Sequence, residues 1–512
     1  MMNVHRLMIS AAHKSSGKTT VTLGLCAALT AQGKSVQPFK KGPDYIDPMW
    51  LALAAQRPCF NLDAYLMDDA ALEACFIDAT HSDGGADIAI VEGNKGLYDG
   101  LALDGSNSNA ALAQRLSLPV LLVLDARGMT RGIAPLILGY QAFDRNIRIG
   151  GVILNRVGGS RHEAKLRAVI EHYTDVPVLG AVAEDPRLAV LERHLGLMPC
   201  AEVGDALLRV REIGQIVAAQ VDLERVAALA ASAEALASRT SRTSPTSPTS
   251  PNSRISRASR ASRASASAAP AATRARPASV RIAIARDRAF GFYYADDLTA
   301  LEAAGAQLIP IDTLHDARLP AVDGLFIGGG FPEVCMAELE ANASMRAALR
   351  EAIEAGLPTY AECGGLMYLS RSITWRGCSA RMVGAIPGDA VMHERPVGRG
   401  YVRLAETGAM PWPGAGAGEL RGHEFHHSSL DNLDPTLPFA YRVERGHGID
   451  GLQDGVLVHN LLASYSHLRS GAGSMWAQRF VAFVRAHARS RRAAQARTRR
   501  AAPGHASAAL SP

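Results

Sequence analysis

Cys363 stands in AECGGLMYL, residues 361–369, between an acid and two glycines and directly after the apolar-leaning run GLPTY. A thiol so placed can be a nucleophile. On a sharp strand-to-helix turn its sulfur points out of a sheet, and the amides of the turn and helix N-terminus stabilise both a thiolate and an oxyanion. The Gly-rich IGGGFPE, residues 327–333, follows another apolar run. Gly329 and Gly330, with Gly364 beside the thiol, can therefore donate backbone N–H groups across one pocket. A base is also needed, and histidines occur in GHEFHHS (His423, His426, His427) and in LLASYSHLR (His467). GHEFHHS is also a candidate metal site, but acidic or Cys partners in ligand spacing do not accompany it.

A second chemistry is written near the N-terminus. HRLMIS reads as a strand, AAHKSSGKTT as a loop and VTLGLCAAL as a helix, fitting GxxxxGK[ST] at Gly17, Lys18 and Thr19 with Ala12 in place of the first glycine. Loop amides and the helix N-terminus cradle phosphate oxygens, Lys18 reaches the β/γ-phosphates, and the Thr19 hydroxyl binds Mg²⁺. Thr20 follows in the first helical turn. KKGPDYIDPMW reads as too turn-rich for a strand interior and places Asp44 and Asp47 just past a second strand; IAIVEGNKGLYDG places Glu92 at the end of a third. Asp47 and Glu92 are hard oxygen ligands at the phosphate-loop edge. Lys40, Lys41 and Lys95 share these loops, as an anionic second substrate requires.

These sites imply two scaffolds. In the first part, continuous apolar runs (HRLMISAA, ADIAIVEG, PVLLVLDA, IGGVILNRV, VPVLGAV) alternate with helical stretches, which indicates a parallel sheet covered on both faces. VRIAIARD, DDLTALEAAG, AQLIPI, VDGLFIGGG and GLPTYAECGG repeat that rhythm in the second part. Ligands belong at the carboxyl ends of such strands.

Composition supplies the boundaries. With 512 residues, 48% hydrophobic and 20% charged, the chain can bury more than one core. Residues 238–279 hold eight Arg and no acid among Ser, Thr, Pro and Ala, and residues 485–512 hold seven Arg and no acid. Without those fifteen charges the net +5 becomes −10, so the basic character belongs to appendages. Nucleic acid is accordingly not expected as a partner. The expected division is an ATP-binding domain over 1–237, a disordered linker over 238–279, a second α/β domain over 280–484 and a disordered tail over 485–512. The seven cysteines lack CxxC pairing, and neither a signal peptide nor an 18-residue apolar run occurs. A cytoplasmic location with no membrane partner is expected, and a homodimer is compatible with the composition.

AECGGLMYL, IGGGFPE, GHEFHHS and ASYSHL together resemble the cobyric-acid-synthase type of class I glutamine amidotransferase domain. SSGKTT, KKGPDYIDP, VEGNKGLYDG and ILNRV resemble the dethiobiotin-synthetase-like ATP domain that precedes it. Their order is similar to that of the cobyrinic acid a,c-diamide synthase family over nearly the whole chain outside linker and tail. The resemblance implies a P-loop parallel-sheet domain followed by a class I amidotransferase α/β domain. It further implies that Cys363 attacks glutamine with His467 as its base. ATP bound at Gly17, Lys18, Thr19 and Thr20, with Mg²⁺ near Thr19, Asp47 and Glu92, would phosphorylate a tetrapyrrole carboxylate for ammonia to displace. Asn155 matches the position near the adenine, and Tyr45, flanked by Asp44 and near Lys41, matches the region that takes the macrocycle.

Departures from the family pattern are specific. Arg469 stands where many class I amidotransferases carry the glutamate that orients the histidine, leaving His426 or Glu424 as candidate third members, or a Cys363–His467 dyad. Asn94 and Lys95 replace a small or apolar pair, and His13 and Lys14 replace common loop residues. Two alternatives follow: the same diamidation on a sirohaem- or sirohydrochlorin-type ring, or a nucleotide-switched scaffold with an inactive amidotransferase module.

Overall fold

The structure, a computed structural model, describes residues 4–189, 192–193, 196–236, 279–414, 418–471 and 474–501. The expected linker lies outside the described residues except for Ser279, as does the tail beyond 501.

The first part is a seven-stranded parallel sheet in the spatial order Phe60–Leu62, Val36–Lys41, Ile88–Glu92, His5–Ala11, Val120–Asp125, Ile149–Val157, Val178–Ala183. Its central strands are apolar throughout because both faces are covered, so Ile88–Glu92 is buried along its entire length. One core packs the helices Lys18–Ala31, Ile46–Ala55 and Ala206–Ala218 onto one face, and a second lies beneath Asp69–His81, Asn109–Arg115, Ile133–Phe143 and Ser160–Tyr173.

Two local expectations are corrected here. Phe60–Leu62 is a short edge strand, so Glu92 ends the fourth strand in chain order and not the third. Lys40 and Lys41 close the strand Val36–Lys41, and Asp47 opens the helix Ile46–Ala55 where loops were expected. Pro48 is compatible with that helix because its first turn has no intrahelical partner for a backbone N–H.

The second part holds a ten-stranded mixed sheet. Five strands, in the order Ala306–Ile311, Val280–Ala285, Gly324–Ile327, Thr359–Glu362 and Leu461–Ser464, are parallel. Gln453–Val458, Phe439–Arg445, Gly398–Glu406, Leu420–His426 and His467–Leu468 continue it antiparallel. A separate four-stranded sheet, Ser370–Trp375 with Cys378–Arg381, Ile386–Met392 and Ser428–Asp431, flanks it.

The C-terminal boundary also differs from expectation. The helix Trp476–Ala501 runs through Val484 and Arg485 into the Arg-rich segment. Trp476, Ala477, Phe480, Val481, Val484 and Ala488 form its buried face, and Arg485 and Arg491 donate to the carbonyls of Ala304 and Asp323 at 2.6 and 3.1 Å. Apolar periodicity therefore carries helix into a stretch whose composition alone reads as solvated. Among the described residues, no helix is long and apolar enough to cross a membrane.

Candidate active site

The strand Thr359–Glu362 ends at Cys363, and the helix Gly364–Leu369 begins at the next residue. Cys363 has φ 49° and ψ −100°, a backbone state disfavoured for a non-glycine residue, and its N–H donates to the Ser464 carbonyl at 2.7 Å. This is the sharp turn the thiol requires. The glycines around it are needed for close packing: a Cβ on Gly364 would lie 2.9 Å from the Gly330 nitrogen, and one on Gly365 would lie 2.3 Å from the Ile327 carbonyl oxygen. A Cβ on Gly329 would lie 2.8 Å from His467 Cε1. Gly329 thus packs against His467 and Gly364 against Gly330, and Gly330 lines one pocket with Cys363 and His467.

His467 is buried and lines the same pocket as Cys363. Burial alone would depress the imidazole, but the neighbouring Cys363 and Glu362 outweigh that and hold it up at about 10. The Glu362 Oε2 lies 3.4 Å from His467 Nδ1, while Glu362 Oε1 accepts from the Tyr360 hydroxyl at 2.6 Å and the Leu468 N–H at 3.1 Å. The ring of His423 stacks on His467 with centroids 4.9 Å apart, and burial pushes the His423 imidazole well down, aided by the charges of His467 and Arg469.

The other candidate third members are engaged elsewhere. Glu424 accepts from the N–H groups of His447 and Gly448 at 2.7 and 2.8 Å, and His426 Nδ1 bonds the Ser428 carbonyl at 2.8 Å. Among the described residues no group of three His, Cys, Asp or Glu side chains could hold a metal, so GHEFHHS assembles no such centre. Arg469 turns away from His467: its Nε pairs with Asp296 at 2.8 Å, and Nη2 donates to the Asn61 carbonyl of the first domain.

At the first sheet's carboxyl edge, Gly17 caps the helix Lys18–Ala31 with φ 84°. A Cβ there would lie 2.0 Å from Asn155 Nδ2, which donates to the Ser16 carbonyl at 2.9 Å. Asn155 therefore braces the phosphate loop from the end of Ile149–Val157. Thr20 sits with Lys18 and Thr19 in the first turn of the helix. Thr19 Oγ1 is 2.6 Å from Glu92 Oε1 and 3.3 Å from Asp47 Oδ2. Lys40 Nζ pairs with Asp47 and, at 2.8 Å, with Glu92. Burial lowers the Lys40 ammonium, but Asp47, Glu92 and Asp44 more than restore it. Lys18 is depressed by burial and then by Lys40. Glu92 is raised by burial and its Oε2 has no partner, so the set holds a spare buried oxygen.

Between the domains lies a cavity of about 710 Å³. Lys41, Asp44, Tyr45, Asn94 and Lys95 line it from the first domain, and Gly330, Cys363, Arg399, Arg445 and His467 from the second. Desolvation pushes Asp44 up to about 7, reinforced by Asp47, and lowers Lys41 to about 8. The Tyr45 hydroxyl reaches across to His467 Nδ1 at 3.1 Å, and the Tyr401 hydroxyl donates to Asp63 at 2.8 Å. Glu362, His423 and the seam contacts of Tyr45 and Arg469 were not assigned from sequence. Glu362 left a trace there as the acid next to the thiol, and His423 as one of the histidines of GHEFHHS.

Residues 281–474 match the family model of a CobB/CobQ-like glutamine amidotransferase domain, and residues 5–190 match that of an AAA domain. The cobyrinate a,c-diamide synthase of Magnetococcus marinus is 45% identical over 482 residues, spanning 94% of this chain and 97% of that protein. The synthase of the same name from Methanosarcina acetivorans is 42% identical, spanning 92% and 93%. That of Listeria monocytogenes is 37% identical, spanning 91% and 96%. With such similarity extending across both halves, the chain belongs to the cobyrinate a,c-diamide synthase family.

Proposed function

We propose the following residue roles for the family reaction, the ATP- and glutamine-dependent amidation of the a and c acetates of cobyrinate or hydrogenobyrinate in cobalamin biosynthesis. Cys363 attacks the side-chain amide of glutamine. His467 takes the thiol proton and passes it to the leaving ammonia, and the thioester is hydrolysed to glutamate. The amides at Gly329, Gly330 and Gly364 face the oxyanion, and Glu362 is the carboxylate that orients His467. At the first domain, an acetate oxygen of the acceptor attacks the γ-phosphorus of ATP held by Gly17, Lys18, Thr19 and Thr20. ADP leaves, and ammonia then displaces phosphate from the acyl phosphate to give the amide. A bare carboxylate would not react with ammonia at neutral pH.

Thr19, Asp47 and Glu92, with the unpartnered Glu92 oxygen, suit Mg²⁺, which when bound would neutralise charge on the transferring phosphoryl group. Lys41, Lys95, Arg399 and Arg445 on the cavity wall suit an acceptor rich in carboxylates, with Tyr45 and Asp44 beside it. The observation that carries this reading is the shared cavity: thiol and acceptor-facing lysines line one space.

Replacing Cys363 by Ala is expected to abolish glutaminase and glutamine-dependent amidation while ammonium chloride still drives amidation of cobyrinate with ATP. Loss of the ammonium-driven reaction in a folded variant would overturn the division of roles. Offering cobyrinate, hydrogenobyrinate and sirohaem in parallel tests the acceptor; mass gain by sirohaem alone would overturn the corrinoid assignment.

A further inference from the structure

The Tyr45 hydroxyl and the Glu362 carboxylate face the same nitrogen of His467, one from each domain, at 3.1 and 3.4 Å. A charge-assisted bond of full strength is about 2.7–2.9 Å long, so Glu362 is held off and the phenol has the closer approach. Glu362 cannot swing freely, because its other oxygen accepts from Tyr360 and Leu468. Tyr45 is fixed as well: its ring stacks on Phe292 with centroids 5.4 Å apart and 4° between planes, and lies 4.5 Å from Tyr294 and 5.5 Å from His423.

Tyr45 is also two residues from the phosphate site. Asp44 Oδ1 accepts from the N–H groups of Ile46 and Asp47 at 2.9 and 3.1 Å, so residues 44–47 form one tight turn at the start of Ile46–Ala55. Asp47 in turn contacts Thr19 and Lys40 beside the phosphate loop. Tyr45 and Asp47 therefore share one short hydrogen-bonded turn.

We propose that Tyr45, reaching from the synthetase domain to His467 Nδ1, is a positioning residue that restrains glutamine hydrolysis until ATP and the acceptor occupy the first domain. With Tyr45 sharing Nδ1, the Glu362 contact stays at its longer distance and the Cys363–His467 pair is less activated than a fully closed contact would make it. When ligands draw the 44–47 turn toward the phosphate site, the imidazole, released from Tyr45, settles on the anchored Glu362 carboxylate and the pair is activated. The charged and titratable groups facing His467 are Cys363 and Glu362 on its own sheet, His423 on the neighbouring strand with Tyr294 against it, and Tyr45 from the other domain, while Arg469 is turned to Asp296. Only Tyr45 is attached to the ATP site. This proposal rests on the assignment of Cys363 and His467 as the glutaminase pair.

The test uses the full-length protein. In Tyr45→Phe, which keeps the stacked ring, glutaminase kcat/KM without ATP or acceptor is expected to rise about tenfold, equivalent to about 1.4 kcal/mol. Stimulation by ATP, Mg²⁺ and cobyrinate is expected to vanish, and the acid limb of the pH profile to move to lower pH. In a Glu362→Gln background the same change is expected to have no effect, since nothing remains to close on Nδ1. A Tyr45→Phe enzyme with wild-type basal rate, stimulation and pH profile would sink the proposal. So would one that loses only affinity for cobyrinate. Either result, obtained while Cys363→Ala abolishes glutaminase, leaves the active-site reading standing.

Discussion

The carboxylate of Glu362 lies 3.4 Å from the imidazole of His467 although Glu362 immediately precedes the proposed nucleophile, Cys363, in the chain. Adjacent strand residues point to opposite faces. The positive φ of Cys363 breaks that alternation at the last position and lets acid and thiol address the same histidine.

Glu362→Gln should therefore lower glutaminase kcat by about 10²-fold, the lower end of what a positioned acid–base pair contributes. Ammonium-driven amidation should be unchanged, because that half-reaction does not involve His467. Single-turnover glutamine hydrolysis beside an ammonium-driven assay separates the two; equal losses would remove Glu362 from its role.

Gly364→Ala should be damaging out of proportion to its size. Its Cβ would press on the Gly330 nitrogen at 2.9 Å and on the Gly330 oxygen at 3.1 Å, and overpacking of this kind costs about 1–3 kcal/mol. A thermal melt should show the loss, and glutaminase should fall further than the melt alone explains because the oxyanion amides shift.

Lys41 gives a pH dependence with a definite sign. Burial lowers its ammonium to about 8, opposed by Asp63 and assisted by Lys95 and Lys40, so it is charged below that pH and neutral above it. Affinity for a polycarboxylate acceptor is then full near pH 7 and lost as pH rises through about 8. KM for cobyrinate in the ammonium-driven reaction should climb across that window, and Lys41→Arg should flatten the curve. A KM independent of pH from 7 to 9 in the wild type would falsify the assignment.

Arg469→Met should loosen the domain seam. The guanidinium is buried against Asp296 and the Asn61 carbonyl, and removing one partner of a buried pair costs about 3–5 kcal/mol. A lower Tm is expected, with glutamine consumed per amide formed rising as the cavity opens. Unchanged Tm and unchanged coupling would show that the seam is held elsewhere.

Much of this arrangement was legible in the sequence, for identifiable reasons. VRIAIARD, VDGLFIGGG and GLPTYAECGG contain largely buried parallel strands and so read as mainly apolar runs. The phosphate loop reads from Gly17 and Lys18 because a positive φ and a buried cation leave few residue choices. Phe60–Leu62 is too short to show a period, and Pro48 disguises a helix start as a turn. The helix past Val484 was hidden by its arginines, whose composition outweighed the apolar stripe beginning at Trp476. Tyr45 against His467 and Arg469 against Asn61 could not be seen at all, since they depend on how two independently patterned sheets meet.

That meeting has an economic side. Because strand ends of both halves, at Lys41 and at Cys363, line one chamber, ammonia released in the proposed reaction would start in a space that already reaches the first domain. Escape past the rim would then set how much of each glutamine is wasted, so the tightness of the joint between the halves would govern the yield.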